Sequence, residues 1–144
     1  MKPSPEKFFL DTNIFAYSFD SRSPAKQIKA RNLVTKALDT RLGLISYQVV
    51  QEFLTLATRK FAKPMTVPEA QFYLSHILMP LCEVFPDSSL FSQALSISGE
   101  TGLTFYDSLI VSSAIASNCA VLWTEDLQHG QRIRNVEIRN PFRA

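Results

Sequence analysis

Glycine is scarce, with four residues in a chain of 144. So few leave no place for a phosphate-cradling P-loop or a Rossmann fingerprint, which removes the commonest nucleotide-binding scaffolds. There are two cysteines and two histidines, none at a spacing that suits zinc, and no Ser-His-Asp set. Cys82 and Cys119 sit in apolar stretches and are expected to be reduced, buried thiols. His76 has no partner at metal-ligand spacing and is expected at the surface or in packing. Long hydrophobic runs are also missing. Only three apolar residues separate the Met-Lys-Pro-Ser-Pro opening and its two charged followers from Asp11, too few for a leader or a membrane span, so a soluble, cytoplasmic protein is expected. Charge of one sign is nearly balanced. A formal net charge of +2 and a pI near 8.6 permit a polyanionic partner without requiring one.

What remains is an ordinary globular composition, 46% apolar and 19% charged, in one expected domain over residues 1–144. Apolar runs and helix signals alternate along it. Phe8–Leu10 reads as a short buried strand. Ser23 before Pro24 opens a helix to about Leu38, with Ile28, Leu33, Val34, Ala37 and Leu38 inward and Lys26, Lys29 and Lys36 on its solvated side. Leu42–Ile45 is a second strand, and Ser46 caps a helix from Tyr47 to about Phe61. Thr66 and Glu69 form a capping box for a third helix ending before Pro80. Leu81–Phe85 is the third strand, followed by a helix to about Ser98 that Gly99 and Gly102 close. Thr104 opens another helix that Asn118 ends, Ala120–Thr124 is the fourth strand, and Val136–Ile138 is expected as an edge strand. Such alternation predicts an α/β protein with parallel strands, right-handed crossovers and helices on both sheet faces.

Carboxylates punctuate this pattern. Asp11 and Asp126 lie just past strand ends, where ligands bind in open α/β sheets. Glu52 lies early in the helix after the second strand, between inward-facing Val50 and Phe53. Asp107 opens the helix that leads to the fourth strand. Each also has a structural role open to it. Asp11-Thr12-Asn13 caps or turns a chain, Asp107 suits the first turn of a helix, and Glu52 suits an exposed helix surface. Two carboxylates about 4 Å apart repel by roughly 4 kcal/mol at an effective dielectric of about 20, so a cluster must take up protons or a cation. Oxygen-only ligands favour Mg2+ or Mn2+, and a hard cation in an open acidic site suits phosphodiester hydrolysis. Lys60, Lys63, Arg132, Arg134, Arg139 and Arg143 could hold a nucleic-acid backbone or simply keep the surface soluble.

Leu10-Asp11-Thr12-Asn13, Ser46 through Glu52-Phe53, Thr104-Phe105-Tyr106-Asp107-Ser108, and Trp123 through Gly130 with Asn140-Pro141-Phe142 resemble the PIN-domain ribonucleases of the VapC toxin type. The resemblance spans nearly the whole chain. It implies a three-layer α/β/α sandwich with a mostly parallel central sheet and Mg2+- or Mn2+-dependent endoribonuclease activity on RNA. It also implies a homodimer and inhibition by a small cognate antitoxin. Carried onto this sequence, Asp11 and Asp107 would be principal metal ligands, and Glu52 and Asp126 would complete the acidic pocket directly or through water. Thr12 and Asn13 would order it. Thr124 stands where relatives often have Ser and keeps the hydroxyl, while Glu125 is either an accessory ligand or a neighbour. Two other readings are a catalytically weak PIN-like module that binds RNA or protein, and an aspartate-based phosphatase. The phosphatase usually wants a second Asp where this chain has Asn13.

Overall fold

The computed structural model describes residues 4–143, so Met1–Pro3 of the opening stretch lie outside it. Among the described residues six strands form one sheet in the order β3-β2-β1-β4-β6-β5. The central strand is β1, Ser4–Leu10, whose Phe9 and Leu10 are fully buried. It pairs in parallel with β2, Gly43–Ser46, on one side and with β4, Cys119–Trp123, on the other. Beyond β2 lies β3, Cys82–Val84. Beyond β4 lies β6, Val136–Arg139, and the two-residue β5, Arg132–Ile133, is antiparallel to it. Val136–Ile138 is therefore not the edge: β6 pairs on both sides, and β5 takes the rim.

From β1 the chain steps to β2 and β3 in one direction, then jumps back across β1 to β4. Right-handed crossovers running opposite ways put their helices on opposite faces, which gives three layers. The reversal also makes the gap between β1 and β4 the switch point of the sheet, where a crevice opens beyond the strand ends.

Between β1 and β2 run α1, Thr12–Tyr17, and α2, Pro24–Thr40. The short α1 has too few turns to display a periodicity. In α2 the expected inward side holds at Val34 and Ala37, but Ile28 is 62% exposed, and Ser23 makes no side-chain cap bond. Ala37 comes so close to the sheet that a Cβ on Gly43 would collide with it and lie 2.7 Å from Phe8 Cε2, so only glycine fits.

Helix α3, Tyr47–Arg59, starts at the Ser46 cap and buries Val49, Val50, Phe53 and Ala57. The Thr66–Glu69 capping box is formed in both directions at the head of α4, Val67–Tyr73. Pro80 does not end that helix. A π-helical segment, Leu74–Leu78, and a last turn, α5, Met79–Leu81, carry the coil past it, the wider turn accommodating the ring and the missing N–H. Helix α6, Ser88–Thr101, runs through Gly99 and stops at Gly102, which has a φ of 79°. Helix α7, Phe105–Ala116, is buried at every position from Ser108 to Ala114. Cys82 and Cys119 are buried and unpaired, and His76 is exposed and stacked on Phe72. Among the described residues, no helix is long and apolar enough to cross a membrane.

Candidate functional site

At the switch point, β1 delivers Asp11 and β4 delivers Thr124-Glu125-Asp126. The Asp11 N–H still donates to the Trp123 carbonyl at 3.1 Å, and the Thr124 N–H to Arg139 at 3.0 Å, so the strand ladder fixes both exits. Asp11 then caps α1, its Oδ1 accepting from the Thr12 N–H at 2.7 Å. Helix α3 brings Glu52 from one side, and the first turn of α7 brings Asp107. All four carboxylates line one cleft of about 1120 Å³.

Neutral groups tether three of them. The Thr124 hydroxyl donates to Asp11 Oδ2 at 2.8 Å, and the Thr12 hydroxyl to Glu52 Oε1 at 2.7 Å. Asn13 Nδ2 donates to Asp126 Oδ2 at 2.9 Å, and the Asp126 N–H returns to Thr124 Oγ1 at 3.1 Å. Asp107 differs. Its N–H donates to Thr104 Oγ1 at 3.2 Å, but the reciprocal half of a capping box is not formed. Among the described residues nothing donates to the Asp107 carboxylate, which leaves it free toward the cleft.

Asp11 is 8% exposed, and burial is the main reason its carboxyl is pushed up from 3.8 to about 7. The bonds from Thr124 and Thr12 oppose that rise, and the charges of Asp126 and Glu52 add to it. Glu125 stands apart although it lines the same cleft. Lys26 Nζ lies 2.6 Å from its Oε2, and the Tyr17 hydroxyl donates to its Oε1 at 2.7 Å. Burial works to raise the Glu125 carboxyl, but these two partners together hold it below its ordinary value. Lys26 also lies 4.6 Å from the Tyr17 ring centre and 5.5 Å from that of Phe142, which closes the corner.

Two contributors escape sequence reading. Gln48, one turn before Glu52, donates to its Oε2 at 3.4 Å and to the Tyr106 carbonyl at 3.3 Å, bridging α3 to α7. The i, i+4 spacing was the available signal. Lys26 belongs with Glu125 across 99 residues, which no local pattern reveals. Of the six basic residues singled out from the sequence, Lys60 and Lys63 line the cleft. Arg132 and Arg139 pair with Glu137, and Arg134 with Glu100, at the β5 side of the sheet.

Among the described residues, no three His, Cys, Asp or Glu side chains are grouped as a ready-made metal cage. The donor set still suits a hard cation. It is all oxygen, it includes the unpartnered Asp107 carboxylate, and its walls leave room for water. Mg2+ characteristically keeps several waters and takes only one or two carboxylates directly.

Known proteins of the same fold were found by structure rather than by sequence. In sequence no curated protein matches. Among solved structures, a toxin-antitoxin complex from Klebsiella pneumoniae is similar with a TM-score of 0.68 at 18% identity, over 96% of this chain and 100% of the other. VapBC2 from Rickettsia felis, bound to a promoter DNA fragment, gives 0.62 at 22% identity over 92% and 97%. VapC20 from Mycobacterium tuberculosis, described as a toxin that cleaves the sarcin-ricin loop, gives 0.55 at 18% identity over 81% and 87%. The PIN domain family model matches residues 8–133, a span running from Phe8 within β1 to the end of β5. With that span, and with the acidic cleft at the switch point of its sheet, the chain belongs to the PIN domain family.

Proposed function

We propose that this PIN domain is a Mg2+- or Mn2+-dependent endoribonuclease. In this reading it is the toxin of a toxin-antitoxin pair, works in the cytoplasm as a homodimer, and is restrained by a small cognate antitoxin. The observation that carries the reading is the convergence of Asp11, Glu52, Asp107 and Asp126 on one cleft. Those four would hold the cation, directly or through water. When bound, it supplies Lewis acidity, lowering the pKa of a water and offsetting charge that develops on the phosphodiester.

The chain's own groups prepare that chemistry. Thr12, Thr124 and Asn13 fix the direction of three carboxylates before any substrate arrives. Such outer partners usually matter about 10–100-fold to metal affinity. Asp11, with its carboxyl near 7, gains or loses a proton at neutral pH and so sets how negative the cleft is. The toxin reading draws on the relatives of the same fold, which include toxin-antitoxin complexes and a toxin that cleaves the sarcin-ricin loop.

The test is RNA cleavage by the purified chain with Mn2+, which Asp11→Asn abolishes. Cleavage that survives either EDTA or this substitution overturns the reading. One observation favours a second reading, a PIN-like module that binds RNA without cutting it: among the described residues the carboxylates are not grouped as a closed cage. Saturable RNA binding with no turnover at any Mn2+ concentration selects that module instead.

A further inference from the structure

The cleft does not end at its carboxylates. It extends along α3 past Gln51, Thr55 and Leu56 to the turn that carries Lys60, Phe61 and Lys63. Glu52 and Lys60 are eight positions apart on the helix and its cap, which at about 1.5 Å per residue separates them by roughly 12 Å along the axis. The turn is fixed rather than loose. The Lys60 and Phe61 N–H groups donate to Leu56 at 2.8 and 3.0 Å, and the Met65 N–H to Ala57 at 2.8 Å. Both lysines are exposed, and neither forms an ion pair among the described residues. Arg22, on the same cleft, is already occupied by Asp20 at 2.9 Å.

An aromatic surface lies beside these cations. Phe19 is 41% exposed, yet its ring is wedged against Phe53, Phe61 and Tyr73 at centroid distances of 5.9, 5.7 and 5.2 Å. A held aromatic with one open side is a stacking surface for an unpaired base.

Resting on the nuclease reading above, we infer that Lys60 and Lys63 form a phosphate subsite for an RNA strand laid along α3, with an unpaired base against Phe19. The scissile phosphate sits at the acidic end. The gripped phosphate lies between roughly two nucleotide steps away in an extended strand and roughly four in a stacked one. A dinucleotide is too short to reach it.

The experiment measures binding by fluorescence anisotropy, using the Asp11→Asn protein so that RNA is not consumed, with a labelled dinucleotide and a labelled octanucleotide. Adding Lys60→Ala and Lys63→Ala weakens the octanucleotide about tenfold and flattens its salt dependence by roughly 0.7 in log-log slope for each phosphate no longer gripped. Dinucleotide binding stays as it was, and Lys60→Arg with Lys63→Arg restores the octanucleotide. Unchanged octanucleotide affinity and slope in the alanine protein overturn the subsite. If the wild-type chain still cuts RNA with Mn2+ in that event, the nuclease reading stands without it. If the wild type neither binds nor cuts RNA, both fall.

Discussion

Two carboxylates at the exits of neighbouring strands meet opposite fates. Asp11 leaves β1 and is held by the hydroxyl of Thr124 and the N–H of Thr12. Glu125 leaves β4 and is held by the ammonium of Lys26 and the phenol of Tyr17. Both are anchored, but only Glu125 is neutralised by a counter-charge. Hydroxyls, amides and backbone N–H groups aim a carboxylate without supplying a counter-charge, so under the proposed nuclease reading the acidic end would stay open to a cation while Glu125 would not.

Substitutions at each corner test this difference. The largest effect is expected from Asp11→Asn. The folded protein holds the Asp11 proton up to about pH 7, whereas the ordinary carboxyl loses it near 3.8. Between those values the native state binds more protons than the unfolded chain, so stability falls as pH rises and stays low above 7. Removing the ionisable group therefore stabilises the cation-free protein at pH 8 by up to about 4 kcal/mol and hardly at all below pH 4. Denaturant unfolding at several pH values checks this, and equal gains at all of them break the comparison.

Next comes Thr124→Val, which strips the hydroxyl from a buried carboxylate. It should destabilise the fold by about 1–3 kcal/mol and lower Mn2+ affinity by about 10–100-fold. Unfolding and calorimetric titration read the two effects separately. Asp107→Asn should weaken Mn2+ binding with little loss of stability, because among the described residues nothing donates to this carboxylate and it shares its cleft with three others. Unchanged calorimetric binding would remove Asp107 from the ligand set. Lys26→Met should do least. Melting drops slightly at low salt, the drop vanishes at high salt, and Mn2+ affinity stays put. A rise in Mn2+ affinity would mean that Glu125, once released, joins the acidic end.

Much of this arrangement was legible from residues alone, for local reasons. An apolar run that stops at a carboxylate marks a strand exit, and the pattern at Leu10-Asp11 recurs at Trp123-Thr124-Glu125-Asp126, on the two strands that flank the switch point. Ser46, Thr66 and Thr104 act through neighbours three residues on, so their caps could be read directly. What escaped depends on distance or on short length. Six residues of α1 and two of β5 carry no period. Pro80 reads as a stop unless the π-helical turn before it is known. Lys26 reads as one more solvated lysine because its partner is on the far side of the sequence.

The pairing of β1 with β4 bears on how the molecule comes into being. Asp11 and Thr124 are 113 positions apart, and pairings so remote in sequence form late because a long loop must close first. A chain emerging from the ribosome in order carries Asp11 and Glu52 well before Thr124, Asn13's partner Asp126, or the strand that seats them. Nascent protein is thus assembled with its acidic pocket incomplete until most of the polypeptide is free.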